Sequence, residues 1–250
     1  MPAMPEGPSI VILCEELKTF EGEKIISASG NTKIDLNRLG KEKIIEFKSW
    51  GKHFLICFDD FYLRIHFLMF GTYRINEKRD FASRLSLTFK NGEVNFYSCS
   101  VKLIEGSVYD NYDWETDVMS DQWNEKRALA SVKKLKKTMA CDAILNQDIF
   151  SGAGNIIKNE VLWRVKIHPE SLMEHLPAKK LKEMVKDIRD YTLLFYDWKK
   201  AYVLRQHWQC YKQKECPRCK IPLIRTYAGK TDRLTFYCEN CQKLYKKRKK

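Results

Sequence analysis

No stretch of this 250-residue chain is apolar for long enough to cross a membrane. Its first residues also lack the basic-then-apolar order of a secretory leader. No basic amphipathic segment stands out as a surface anchor, which weakens any membrane role. The cysteines number nine, an odd count that makes a poor secreted disulfide framework. Four of them form two CxxC pairs, and the other five (Cys14, Cys57, Cys99, Cys141, Cys210) lie scattered among apolar neighbours. That distribution suits a reducing compartment, so an intracellular protein is expected. No interface signal is visible, and a monomer is the default expectation.

One half of the chain is also short of acid. Residues 126–250 hold 30 Lys+Arg against 12 Asp+Glu, whereas residues 1–125 hold 15 against 20. The whole net charge of +13 therefore comes from the C-terminal half. Positive charge concentrated in this way implies a polyanionic partner, nucleic acid above all.

The order of patterns divides the chain further. Ile10, Leu13, Cys14, Leu17 and Phe20 recur at helical spacing behind Pro8, a residue favoured in a first helical turn. From Lys24 to about Ile104 the period changes to two. Eight short β-rich runs follow one another, with Asn91-Gly92 as the sharpest hairpin signal, and they predict a sandwich or barrel. Two turns there draw notice. Trp50-Gly51-Lys52 projects a lysine at a strand junction, and Leu68-Met69-Phe70 places three large apolar residues beside Gly71, where a turn would expose them. Taken alone, a surface lysine and a buried apolar bend account for both. Residues 106–124 are polar and acidic and read as a linker.

A helical region follows. Its centre, Leu145 to Pro169, runs through SGAGN into a helix on which Ile157, Val161 and Leu162 share a face, so an amphipathic helix is expected. Gly152 and Gly154 suit sharp turns, and Asn155 stands where a short polar side chain caps free backbone N–H groups. Such a helix start can receive a phosphate, although an ordinary helix pair in a core reads equally well from this stretch. Near the end, Cys216 and Cys219 are separated from Cys238 and Cys241 by eighteen residues. This spacing fits one structural Zn²⁺ held by four thiolates on a β-hairpin. A redox pair would not need the second knuckle, and the spacing fits an iron–sulfur cluster poorly. Arg225, Lys230 and Arg233 between the knuckles present cations.

In this order, PEGP at the start, WGK in a β-rich region, a helical GAGNI turn and a CPxC…CxxCQ finger resemble the formamidopyrimidine-DNA glycosylase/endonuclease VIII family over Met4 to Gln242. The resemblance implies an α+β multidomain fold. An N-terminal helix and β-sandwich would occupy 4–110, a linker 111–125, a helix-two-turn-helix region 126–212, and a four-cysteine zinc finger with basic tail 213–250. It implies a bifunctional DNA glycosylase and abasic-site lyase of base excision repair, with damaged DNA as partner. Pro5 matches the family's nucleophile, Glu6 its proton-shuttling carboxylate and Lys52 its β-domain lysine. His66, Asn155 and Arg233 match residues that contact the DNA backbone. Leu68, Met69 and Phe70 match the wedge that fills the gap left by an extruded nucleotide.

An Arg-x-Phe pair is absent from SVKLIEG, the Tyr202–Cys216 segment is short, and PEGP replaces PELP. These features place the chain nearer the endonuclease VIII-like branch, which acts on oxidised pyrimidines. Ser9 stands where many members carry glutamate. MPA precedes Met4, so a free Pro5 amine requires a chain begun at Met4. The competing expectations are a catalytically silent binder of lesions or abasic sites on the same scaffold, and a zinc-ribbon module fused to an unrelated β domain.

Overall fold

The computed structural model describes residues 5–246, and the expectation about a start at Met4 lies outside them. Two compact units divide between Asp113 and Trp114.

In the first unit, Pro8 opens α1 (Gly7–Leu17), and a 3₁₀ turn carries the chain to Phe20. The eight expected strands all form. They are β1 (Ser27–Ser29), β2 (Glu46–Trp50), β3 (His53–Cys57), β4 (Phe61–His66), β5 (Thr72–Ile75), β6 (Leu85–Phe89), β7 (Gly92–Tyr97) and β8 (Ser100–Glu105). They build two antiparallel sheets ordered β1-β6-β7-β5 and β2-β3-β4-β8. The inward residues of both sheets, among them Phe54, Ile56, Leu63, Ile65, Leu85, Leu87 and Phe96, share one core with Ile10, Leu13 and Leu17 of α1. Of the sandwich and barrel that period-two alternation left open, the chain forms the sandwich.

The outer face of the second sheet is covered as well. Ser107 caps α2 (Val108–Asn111) through Tyr109 N–H, and the segment ending at Asp113 lies over β2 to β4. Tyr112 packs on Trp50, His53 and Tyr62 at centroid distances of 5.0, 5.9 and 6.0 Å. The Trp50 indole N–H donates to Asp113 O at 3.0 Å. Leu55, on that outer face, is consequently buried.

Residues 114–124 belong to the second unit, where Thr116, Asp117 and Val118 are buried. Val118 N–H donates to Ser151 O at 3.0 Å, and Ser151 N–H to Thr116 O at 2.9 Å. A backbone ladder therefore ties this polar stretch to the SGAG turn. Side-chain patterning carries no trace of such a ladder.

The helices of this unit are α3 (Glu125–Lys134), α4 (Ala140–Leu145), α5 (Asn155–Arg164) and α6 (Ala178–Lys200), followed by the hairpin β9 (Ile224–Ala228) and β10 (Arg233–Tyr237). The two turns between α4 and α5 form as expected. The expectation of an amphipathic α5 is corrected, because every residue from Asn155 to Trp163 is buried. The helix is enclosed by α4, α6 and β10. Its three consecutive polar residues are each answered there. Lys158 Nζ reaches Thr235 Oγ1 at 2.7 Å, and Asn159 Oδ1 accepts from Phe236 N–H at 2.7 Å. Glu160 accepts from the N–H groups of Gln209, Cys210 and Tyr211 at 2.7–3.1 Å.

The hairpin is tied to the helices at both ends. At its tip Gly229 has φ +80°, and an added Cβ would lie 2.3 Å from Asp142 Oδ1, which itself accepts from Lys230 N–H at 2.9 Å. Beyond the fourth cysteine, His168 N–H donates to Lys243 O and Leu172 N–H to Tyr245 O.

Glu160 is central to this packing. Burial pushes its carboxyl above the usual carboxylate range, opposed by the three N–H donors. Glu160→Ala leaves three buried N–H groups without an acceptor. We expect a loss of about 2–4 kcal/mol in urea unfolding, with Glu160→Gln losing less because one oxygen remains. A loss below about 1 kcal/mol for the alanine variant would contradict this account.

Candidate nucleic-acid interface and metal centre

The first unit carries seven of the residues singled out from sequence. Pro5 is half-buried ahead of α1, and Glu6 is the residue before its first turn with 1% of its surface exposed. Lys52 occupies the tight β2–β3 turn, where Gly51 supplies φ +56°. That turn abuts the paired ends of β3 and β4, in which His53 stands opposite His66 with ring centroids 5.6 Å apart. Burial, then Lys52 and Arg64, disfavour the protonated form of His66. The segment following His66 exposes Leu68, Met69 and Phe70 by 54, 54 and 72%. The buried bend that these residues suggest taken alone is corrected, and the exposure is the one the family resemblance implies. Buried Phe67 anchors the turn, and Gly71 closes it by donating N–H to Phe67 O at 2.7 Å. Gly71 is required there, since a Cβ would stand 2.2 Å from that oxygen.

Asn155 and Arg233 lie in the second unit and meet through the hairpin. Asn155 is the first residue of α5, and Gly154 precedes it in extended conformation. The capping role expected of Asn155 is corrected. Its side chain turns away from the helix start and donates Nδ2–H to Leu234 O at 2.9 Å, next to Arg233. A residue already in helical conformation is poorly placed to cap its own first turn. Arg225, Lys230 and Arg233 are all exposed, so the hairpin does present cations.

The four predicted ligands converge. The sulfur atoms of Cys216, Cys219, Cys238 and Cys241 all lie within 4.8 Å of one another. Burial opposes ionisation of Cys216. The Trp163 indole N–H, 3.4 Å from its sulfur, and the N–H groups of Cys219 and Arg218 outweigh it, pulling the thiol down to about 6. A set of soft, clustered sulfurs with donors aimed at one of them suits a thiophilic cation. Cys210, though in the same small core, is spent otherwise: its Sγ–H donates to Phe236 O at 3.1 Å. Gln242 braces the second knuckle by accepting from Cys238 N–H and donating to Ile167 O, both at 2.8 Å.

Sequence reasoning missed Lys158, Asn159, Glu160 and Trp163 as supports of this region. A signal existed: three adjacent polar residues in a helix span more than half its circumference, so one at least must face inward when apolar residues flank them.

Two family models match the chain: the N-terminal domain of formamidopyrimidine-DNA glycosylase over residues 4–100 and its H2TH domain over residues 115–193. The chain belongs to the formamidopyrimidine-DNA glycosylase/endonuclease VIII family. Among curated relatives it is similar to Endonuclease 8-like 3 of Xenopus laevis, 31% identical over 232 residues that make 88% of this chain and 38% of that protein. It also resembles Endonuclease 8-like 2 of Mus musculus, 30% identical over 88% of this chain and 65% of the relative. The chain thus spans less than two thirds of the length of either. These family members carry the endonuclease 8-like name, as the PEGP start and the missing Arg-x-Phe pair led us to expect. The fold matches that of Lactococcus lactis formamidopyrimidine DNA glycosylase bound to DNA containing an abasic site. That match has a TM-score of 0.84 and 23% identity, covering 95% of this chain and 99% of that one.

The paired histidines in the first unit give an acid-stability signature. Burial, then Arg64 and His66, push His53 down to about 4, so its ring is neutral in the folded chain. The unfolded ring takes a proton below about 6.5. Between pH 6.5 and 4 the unfolded state binds more protons, and stability is complete above that window and falls as pH drops through it. The expected loss is about 3 kcal/mol. His53→Phe should flatten this part of the stability–pH curve. An unchanged slope would show that other groups dominate.

Proposed function

We propose that this chain is a DNA glycosylase and abasic-site lyase that excises oxidised bases, pyrimidines by preference, in intracellular base excision repair. The observation that carries the reading is the pairing of Pro5 with a carboxylate, Glu6, that is almost fully buried at the entrance to α1. A carboxylate held out of bulk water beside the proline is placed for proton transfer at a reacting centre next to it. The supporting observations are family membership, the exposed cations on the hairpin and the exposed apolar turn after His66.

In this reading the chain begins at Pro5 after removal of Met4, which makes the proline a secondary amine. An α-amine has a pKa of about 8, roughly two units below lysine, and is in part neutral at working pH. Its lone pair attacks C1′ of the damaged nucleotide while the base departs and takes up a proton. Loss of the amine proton and opening of the ribose leave an iminium ion. The iminium acidifies C2′, a proton leaves there, and the 3′-phosphate is expelled by elimination. Hydrolysis then frees Pro5. Glu6 serves as proton carrier at the sugar. Lys52 and His66 hold phosphates beside the lesion. Asn155 with the start of α5, and Arg233 on the hairpin, hold the backbone from the second unit. Leu68, Met69 and Phe70 occupy the space vacated in the stack. The protein acts as a monomer, and the four cysteines hold one Zn²⁺, whose part is to fix the hairpin.

Borohydride trapping on an abasic-site duplex, with protein begun at Met4 and peptide mapping, tests the chemistry. An adduct on Pro5 is expected, and Glu6→Gln should bind the duplex while cleaving it at least a hundredfold more slowly. Tight binding without any adduct would favour the alternative, a silent binder of lesions or abasic sites.

The metal reading has its own check. Elemental analysis should return one zinc per chain, and Cys238→Ser should lose the metal and lower the melting temperature by several degrees or more. Full-length protein that is metal-free yet equally stable would refute it.

A further inference from the structure

The exposed apolar turn raises a mechanical question that its sequence does not answer. Three large side chains standing in water would favour collapse onto the sheet, yet here they stay 54–72% exposed. The main chain is what keeps them out. Leu68 has φ +53°, a left-handed conformation that costs a branched-chain residue about 1 kcal/mol or more. Something must hold it. Gly71 N–H to Phe67 O closes the far side of the turn. On the near side, Leu68 N–H donates to His66 Nδ1 at 3.1 Å.

We propose that His66 is a positioning residue for the Leu68–Phe70 wedge, its Nδ1 lone pair fixing the left-handed Leu68 and so pre-forming the turn. The proposal rests on the reading of that turn as the element that fills the gap in the stack. An imidazole can accept at Nδ1 only when neutral, with its proton on Nε2. The surroundings favour that state: burial, then Lys52 on the β2–β3 turn and Arg64 on β4, hold His66 below the usual histidine range. The ring is also confined from β3 by His53 at 5.6 Å. The two nitrogens thus have separate tasks. Nδ1 faces the turn, and Nε2–H remains the donor for a phosphate. Pre-forming the turn matters because a wedge already in place spares the ordering cost at the moment the nucleotide leaves.

The two tasks separate by substitution. Asn places an oxygen near the position of Nδ1, whereas Gln places its amide near Nε2. The full chain and its His66→Leu, His66→Asn and His66→Gln variants would be mixed with a duplex bearing a tetrahydrofuran abasic analogue. 2-Aminopurine opposite the gap reports wedge entry, and circular dichroism confirms folding. A Leu68→Ala/Met69→Ala/Phe70→Ala variant serves as reference. We expect the triple variant to abolish the fluorescence rise and His66→Leu and His66→Gln to slow it at least fivefold. His66→Asn gives up the Nε2 phosphate contact and should bind the duplex more weakly, but at saturating protein its wedge entry should be at least twofold faster than that of His66→Gln. Should His66→Leu prove unfolded, the Asn–Gln contrast still decides. If Gln rescues and Asn does not, with a salt-dependence slope reduced by about one, His66 is a phosphate contact only and the proposal fails. If both match the parent while the triple variant is silent, it fails equally. If the triple variant itself keeps the full signal, the wedge reading falls instead.

Discussion

Three adjacent polar side chains inside a fully enclosed helix are the constraint on which the second unit depends. Lys158, Asn159 and Glu160 point in different directions from α5, and each is buried. Left without partners they would cost more than most domains have to spare. Their partners are backbone or side chain of two neighbours: β10 for the first two, the 209–211 segment for the third. The helix therefore dictates where the hairpin and the approach to the first cysteine must lie. Asn155, bonded to Leu234 O, and Trp163, bonded to Cys216, extend the same logic to both ends of α5. A four-cysteine cluster and a row of exposed cations are thereby held by one buried element.

The first unit solves a different problem. A sandwich sheet normally leaves one face to water, but the outer face of β2-β3-β4-β8 carries Leu55, Tyr62 and two histidines, and needs cover. The 107–113 segment supplies it through Tyr109, Tyr112 and the Trp50–Asp113 bond. The same burial keeps His53 neutral and holds His66 below its ordinary range. Covering a sheet and setting the protonation of residues beside Lys52 are consequently one event.

Charge is distributed with the same division of labour. The first unit is close to balanced, with its cations met by acids, as in Arg38 with Asp60 and Glu105. The hairpin cations Arg225, Lys230 and Arg233 stand exposed. The net positive charge, and with it any long-range attraction to a polyanion, therefore lies in the C-terminal half.

Much of this was legible from the residues alone. Period-two alternation gave all eight strands, Pro8 gave the start of α1, and the CxxC spacing named the four sulfurs that converge, because these signals are local. Leu68-Met69-Phe70 beside Gly71 reads equally as a buried apolar bend, and only the fold shows the three side chains exposed. What the sequence could not determine was anything that depends on what stands opposite. The face of α5 that packs was undecidable, since all of its faces do. Asn155 reads as a cap by its position, yet its amide serves a carbonyl 79 residues away. The 114–124 stretch reads as a linker because its ties to Ser151 are backbone bonds, which leave no mark on side-chain pattern. His66 is singled out only by the family resemblance, as a contact to the DNA backbone. Only the return of the chain through a left-handed Leu68 shows which of its nitrogens is engaged. Local chemistry is written in order along the chain, whereas partnership is fixed by which distant groups the fold brings within 3 Å.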